Sequence, residues 1–122
     1  MWIGVDLDGT LAEHKWDGTL NPNFDPLHIG PPIPKMLARV KKWVAQGVEV
    51  RILTARANPN GRGYARHQEV VRGIRAWCKL HVGVELEVTN AKDYDMLELW
   101  DDRAIQVIEN TGDRADGVID DA

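Results

Sequence analysis

A chain of 122 residues has room for one compact domain around one hydrophobic core, not for a catalytic domain plus a separate substrate domain. Its hydrophobic fraction of 43% and charged fraction of 28% are those of a soluble globular protein, and no apolar run approaches the roughly 20 residues of a membrane-spanning helix. The net charge of −4 argues against a surface made throughout for nucleic acid, and the single cysteine, Cys78, has no partner for an internal disulfide.

The first strand pattern is Trp2-Ile3-Gly4-Val5, which stops at Asp6 and runs into the turn chemistry of Asp8-Gly9-Thr10. Because it begins at the first residues, no basic-then-apolar leader precedes it, and a cytoplasmic location is expected. Residues 12–33 carry Gly18, Pro22, Pro26, Gly30, Pro31 and Pro32 without periodicity, so a flap loop is expected there, with His14, Trp16 and His28 on it. Pro34 suits the first turn of a helix whose apolar stripe is Met36, Leu37, Val40, Trp43 and Val44, stopped by Gly47. Val48–Leu53 reads as a strand leading into Thr54-Ala55-Arg56 and the loop 58–61.

A second amphipathic helix carries Val70, Val71, Ile74, Trp77 and Cys78, with arginines flanking the stripe, and ends near Gly83. Leu86–Thr89 and Met96–Trp100 are two more strands, the latter ending at Asp101-Asp102, and Ala104–Ile108 is expected to be a last one. Strands alternating with helices predict an α/β domain over 1–112, three-layered and Rossmann-like, with a mostly parallel sheet and helices on both faces. An acidic tail over 113–122 follows.

Ligands of such sheets bind beyond the carboxyl ends of the strands, where Asp6, Thr54, Lys92 and Asp101 all fall. Asp6, Asp8, Asp101 and Asp102 would repel one another by roughly 1 kcal/mol per pair at about 4 Å in water and about 4 kcal/mol at an effective dielectric near 20. Such a group needs a cation or a shared proton. Oxygen ligation without histidine or thiolate favours Mg²⁺, which keeps room for water and a substrate phosphate. For phosphoryl transfer one carboxylate serves as nucleophile and a second, with a raised pKa, as proton donor; Thr54 offers a hydroxyl and Lys92 a charge. Arg56 and Thr10 stand close enough in sequence to be candidate substrate contacts.

The series Asp6-Leu7-Asp8-Gly9-Thr10, then Thr54, then Lys92, then Asp101-Asp102, resembles the four ordered motifs of the haloacid dehalogenase superfamily. The resemblance implies an aspartyl-phosphate on Asp6, Asp8 as general acid and base, and phosphoryl binding by Thr54 and Lys92. It also implies Mg²⁺ held by the Asp6 carboxylate, the Asp8 carbonyl and Asp101, with Asp102 directly on the ion or behind it. An acid at position 8 is the phosphatase pattern rather than the dehalogenase one. The gaps between motifs leave no space for a cap domain, so the chain resembles capless phosphatases, among them the phosphatase domain of polynucleotide kinases. A bulky or polymeric ester such as a nucleic-acid 3′-phosphate end, a nucleotide or a small phosphate ester are the implied substrates, unless a neighbouring subunit closes the site. The competing expectation is a non-catalytic module that binds phosphate or nucleic acid through the arginine-flanked helix.

Overall fold

The computed structural model describes residues 1–14, 25–59 and 66–119. Four strands, β1 (Trp2–Val5), β2 (Glu49–Leu53), β3 (Glu87–Thr89) and β4 (Met96–Trp100), form one parallel sheet in the order β3-β2-β1-β4. Helix α1 (Pro34–Ala45) joins β1 to β2 and helix α2 (His67–His81) joins β2 to β3. An α/β fold is thus present, and no helix among the described residues is long and apolar enough to cross a membrane.

Each helix forms where its apolar spacing and its ends allow. Pro34 occupies the first turn of α1, and Met36 and Val40, four residues apart, are buried on one stripe. The turn after α1 is closed by Gly47 donating to the Val44 carbonyl and Val48 to that of Trp43. In α2 the buried residues are Val70, Ile74 and Cys78, again at intervals of four. Burial pushes the Cys78 thiol up to about 12, so it packs as a small apolar group.

Strand register decides which face each helix covers. Ile3 pairs with Val50 and Val5 with Ile52, and these four side chains share one core with Met36 and Val40 of α1 and Val70, Ile74 and Cys78 of α2. Both helices therefore lie on the same face, and the second helical layer expected from the sequence is not found among the described residues. On the opposite face Trp2 is buried under Arg51, whose guanidinium stands 4.5 Å from the indole centroid. Asp93 accepts from Trp2 Nε1 at 2.8 Å and from Arg51, so the β3–β4 connection passes across this face.

Ala104–Ile108, expected as a last strand, is not one. Ile105, Val107 and Ile108 are exposed, and the segment folds back on itself instead, with a single antiparallel bridge between Val107 and Arg114. Asn110 at φ 65° and Gly112 at φ 78° turn the chain, and the amides of Ile108 and Ala115 donate to the carbonyls of Asp113 and Gln106. A short apolar run becomes a strand only where a neighbour can pair with it, and these hydrogen-bond groups are spent within their own turn.

Candidate active site

The pairing of β1 with β4 builds one half of the site. Val5 is opposite Trp100, and the Asp6 amide donates to the Trp100 carbonyl at 2.9 Å, so Asp6 and Asp101 leave adjacent parallel strands side by side. After Asp6 the chain turns sharply: the amides of Thr10, Leu11 and Ala12 all donate to the Leu7 carbonyl, and Gly9 sits at φ 88°. Glycine is needed at this position twice over. Its backbone lies in the left-handed region, and a Cβ would come 2.5 Å from Asp102 Oδ2. Thr10 closes the turn against β4, its hydroxyl donating to Asp102 Oδ1 and accepting from the Asp102 amide, both at 3.0 Å.

The result is a group of three carboxyls, Asp6, Asp101 and Asp102, each offering an oxygen within 4.8 Å of the others. Burial first, then the charge of Asp101 and a hydrogen bond with the Asp102 side chain, push the Asp6 carboxyl from 3.8 up to about 7. Asp101 is steadied by the Arg103 amide, which donates to its Oδ1 at 2.8 Å.

Asp8 has different company. Arg56 Nε donates to its Oδ2 at 2.7 Å and Arg56 Nη2 to its Oδ1 at 2.8 Å, a two-pronged pair, and His14 Nδ1 lies 3.8 Å from Oδ1. The Arg56 side chain is only 6% exposed. Its Nη1 donates to the carbonyls of His28 at 2.6 Å and Pro26 at 3.1 Å, which brings the 25–28 turn up to Asp8. Arg56 itself is set by a 3₁₀ turn over Ala55–Ala57, whose cap is Thr54: its Oγ1 accepts from the Arg56 amide at 3.2 Å. Thr54 is buried at 3% exposure, and its own amide donates to the Thr89 carbonyl of β3.

Both ends of the expected 12–33 flap are joined at their base. Glu13 donates to the Pro31 carbonyl, Ile33 to that of Leu11, and Gly30 passes so close to the Glu13 carbonyl that no side chain fits there. Between these ends and Arg56 is a cavity of about 330 Å³ lined by Glu13, His14, His28, Gly30, Pro31 and Arg56. Trp16, also expected on the flap, lies outside the described residues.

Comparison of the chain with family models, with curated proteins and with solved structures finds no match.

Of the residues singled out in the sequence, Asp6, Asp101 and Asp102 meet in one group, and Thr10 holds Asp102 in place. Asp8 and Arg56, expected in separate roles, are partners. Lys92 is exposed three residues past the carboxyl end of β3, and no ion pair among the described residues holds it. The sequence reading did not foresee the Arg56 bridge to Pro26 and His28, or His14 beside Asp8. For the Arg56 bridge, spacing carries no signal for contacts between residues 28 or 30 positions apart.

Proposed function

We propose that this chain is a magnesium-dependent phosphomonoesterase of the haloacid dehalogenase type, working through an aspartyl-phosphate on Asp6. One observation carries the reading: adjacent parallel strands deliver Asp6, Asp101 and Asp102 to one spot, where burial first, and then the neighbouring acids, raise the Asp6 carboxyl to about 7. The donor set is three carboxylates with no imidazole or thiolate among them, which fits a hard divalent cation. Asp6, Asp101 and the Asp8 carbonyl would hold Mg²⁺, with Asp102 beside them. When bound, the ion supplies positive charge that offsets the phosphoryl oxygens and the crowded acids.

In this reading an Asp6 oxygen attacks phosphorus, the ester P–O bond breaks, and the leaving oxygen takes a proton from Asp8. Asp8 then removes a proton from the water that attacks the acyl phosphate, which returns Asp6 and releases inorganic phosphate. Thr54 uses its oxygen to accept from Arg56, which leaves its O–H free to donate to a phosphoryl oxygen. Lys92, at the exit of β3, would add a cation. The sheet would be the centre of a capless, Rossmann-like domain, and the substrate a nucleotide, a nucleic-acid 3′-phosphate end or a small phosphate ester. The test is hydrolysis of a generic aryl phosphate with and without Mg²⁺. Turnover should require the metal and vanish in Asp6→Asn with the fold intact; retained turnover in that variant defeats the mechanism.

A second reading, a non-catalytic module for phosphate or nucleic acid, is favoured by the charge of the helices. Between them α1 and α2 carry Lys35, Arg39, Lys41, Lys42, Arg72, Arg75 and Lys79 against one acid, Glu69, in a protein of net charge −4. Oligonucleotide binding that needs no Mg²⁺, weakens with salt and comes with no turnover would select it.

A further inference from the structure

We propose that Arg56 is a positioning residue that couples the 25–28 turn to the aim of the Asp8 carboxyl, rather than a contact to the substrate phosphate. The proposal rests on the phosphatase reading and adds to it. Its basis is where the guanidinium donors go. Nε and Nη2 take both oxygens of Asp8, and Nη1 takes the carbonyls of Pro26 and His28. The group is nearly buried, and its backbone is fixed by the Thr54 cap at the end of β2. One side chain thus ties together three separate pieces: the turn after β1, the end of β2 and the entry to helix α1.

The fork geometry is what makes this a coupling. A planar guanidinium that engages both carboxylate oxygens fixes the plane of the carboxyl as well as its place, and its third nitrogen transmits any movement of residues 26–28 to that plane. An ammonium at the same position would keep the charge but act as a point, leaving the carboxyl free to rotate. His14 and Arg56, the two neighbours of the Asp8 carboxyl, both line the 330 Å³ cavity. A leaving group accommodated there would meet an Asp8 carboxyl already oriented by Arg56.

The experiment compares wild type, Arg56→Lys and Asp8→Asn on two esters, an activated nitrophenyl phosphate and an unactivated alkyl phosphate, with inorganic phosphate as inhibitor. A nitrophenolate leaves without a proton, whereas an alkoxide needs one, so misaiming Asp8 penalises the alkyl ester selectively. For Arg56→Lys, kcat/KM should fall about a hundredfold on the alkyl ester and about tenfold or less on the nitrophenyl ester. Inhibition by phosphate should stay within about twofold, and adding Arg56→Lys to Asp8→Asn should cost little more than Asp8→Asn alone. Amide exchange at Leu27 and His28 should speed up in Arg56→Lys, because the turn loses its anchor. Equal losses on both esters with weakened phosphate inhibition would make Arg56 a phosphate contact and overturn the coupling. Should Arg56→Lys fail to fold, Arg56→Gln is measured the same way, and loss of the native melt in both variants would make the role purely structural. A wild type that hydrolyses neither ester in Mg²⁺ sinks the phosphatase reading itself, a result distinct from every other outcome.

Discussion

Asp6 and Asp8 stand two residues apart on one turn and carry the same functional group, yet the fold gives them opposite surroundings. Asp6 faces Asp101 and Asp102, and its carboxyl rises to about 7; Asp8 is gripped by Arg56 from two sides. The difference comes from two elements of long-range structure. Register between β1 and β4 brings acids to Asp6, while the 3₁₀ turn after β2 brings an arginine to Asp8. A pair of like carboxyls becomes an unlike pair without any change of side chain; to serve as the proposed nucleophile Asp6 must give up the proton that its surroundings favour, which a bound cation would promote.

The sharpest way to break this contrast is at Asp6. Asp6→Asn should lower kcat on an aryl phosphate by at least about a thousandfold while leaving the thermal melt of the metal-free protein unchanged or higher, since a neutral amide removes the crowded charge. Next in size, Asp101→Asn should raise the Mg²⁺ concentration for half-maximal turnover at least about tenfold, read from a metal titration.

The turn between the two carboxyls gives a third test. Gly9→Ala forces a side chain into a left-handed backbone and onto Asp102, and should cost about 1–2 kcal/mol from the backbone alone in denaturant unfolding, with weaker metal dependence as a second sign. A pH series in divalent-free buffer isolates the Asp6 side. Its folded carboxyl near 7 lies above the ordinary 3.8, so the folded state holds a proton that the unfolded state has released. The Asp6 contribution to stability should therefore be greatest below about pH 4, fall as pH rises toward 7 and level off above it; the difference between wild type and Asp6→Asn should show that slope, and Mg²⁺ should oppose it. Smallest of all, Thr10→Val removes the hydroxyl that bonds Asp102 and should cost about 1 kcal/mol in the same unfolding assay.

Local pattern accounts for how much of this was legible. The stripes Met36/Val40 and Val70/Ile74/Cys78, the first-turn Pro34 and the glycine stops locate both helices from spacing alone, because a helix face repeats on a scale the chain itself displays. Trp2–Val5 and Met96–Trp100 were equally visible, and with them the strand ends that carry Asp6 and Asp101. Ala104–Ile108 misled because β-branched composition describes a residue's preference and not its neighbours. β4 is an edge strand of the sheet, and the chain beyond it pairs with itself instead. Arg56 was noticed for its nearness to Thr54, but its partner Asp8 lies 48 positions away, and no periodicity reaches that far.

By itself the amino-acid order determined both helices, four of the five expected strands, their alternation and the set of acidic, hydroxyl and basic side chains at strand ends, since these follow from backbone preference and apolar spacing within a few turns of chain. Tertiary structure alone decided that both helices cover one face, that three of the four acids converge while Asp8 turns to Arg56, and that the Asp6 carboxyl is pushed up to about 7. Charge and burial act through space, and which groups come within a few ångströms of one another is fixed only when the strands find their register.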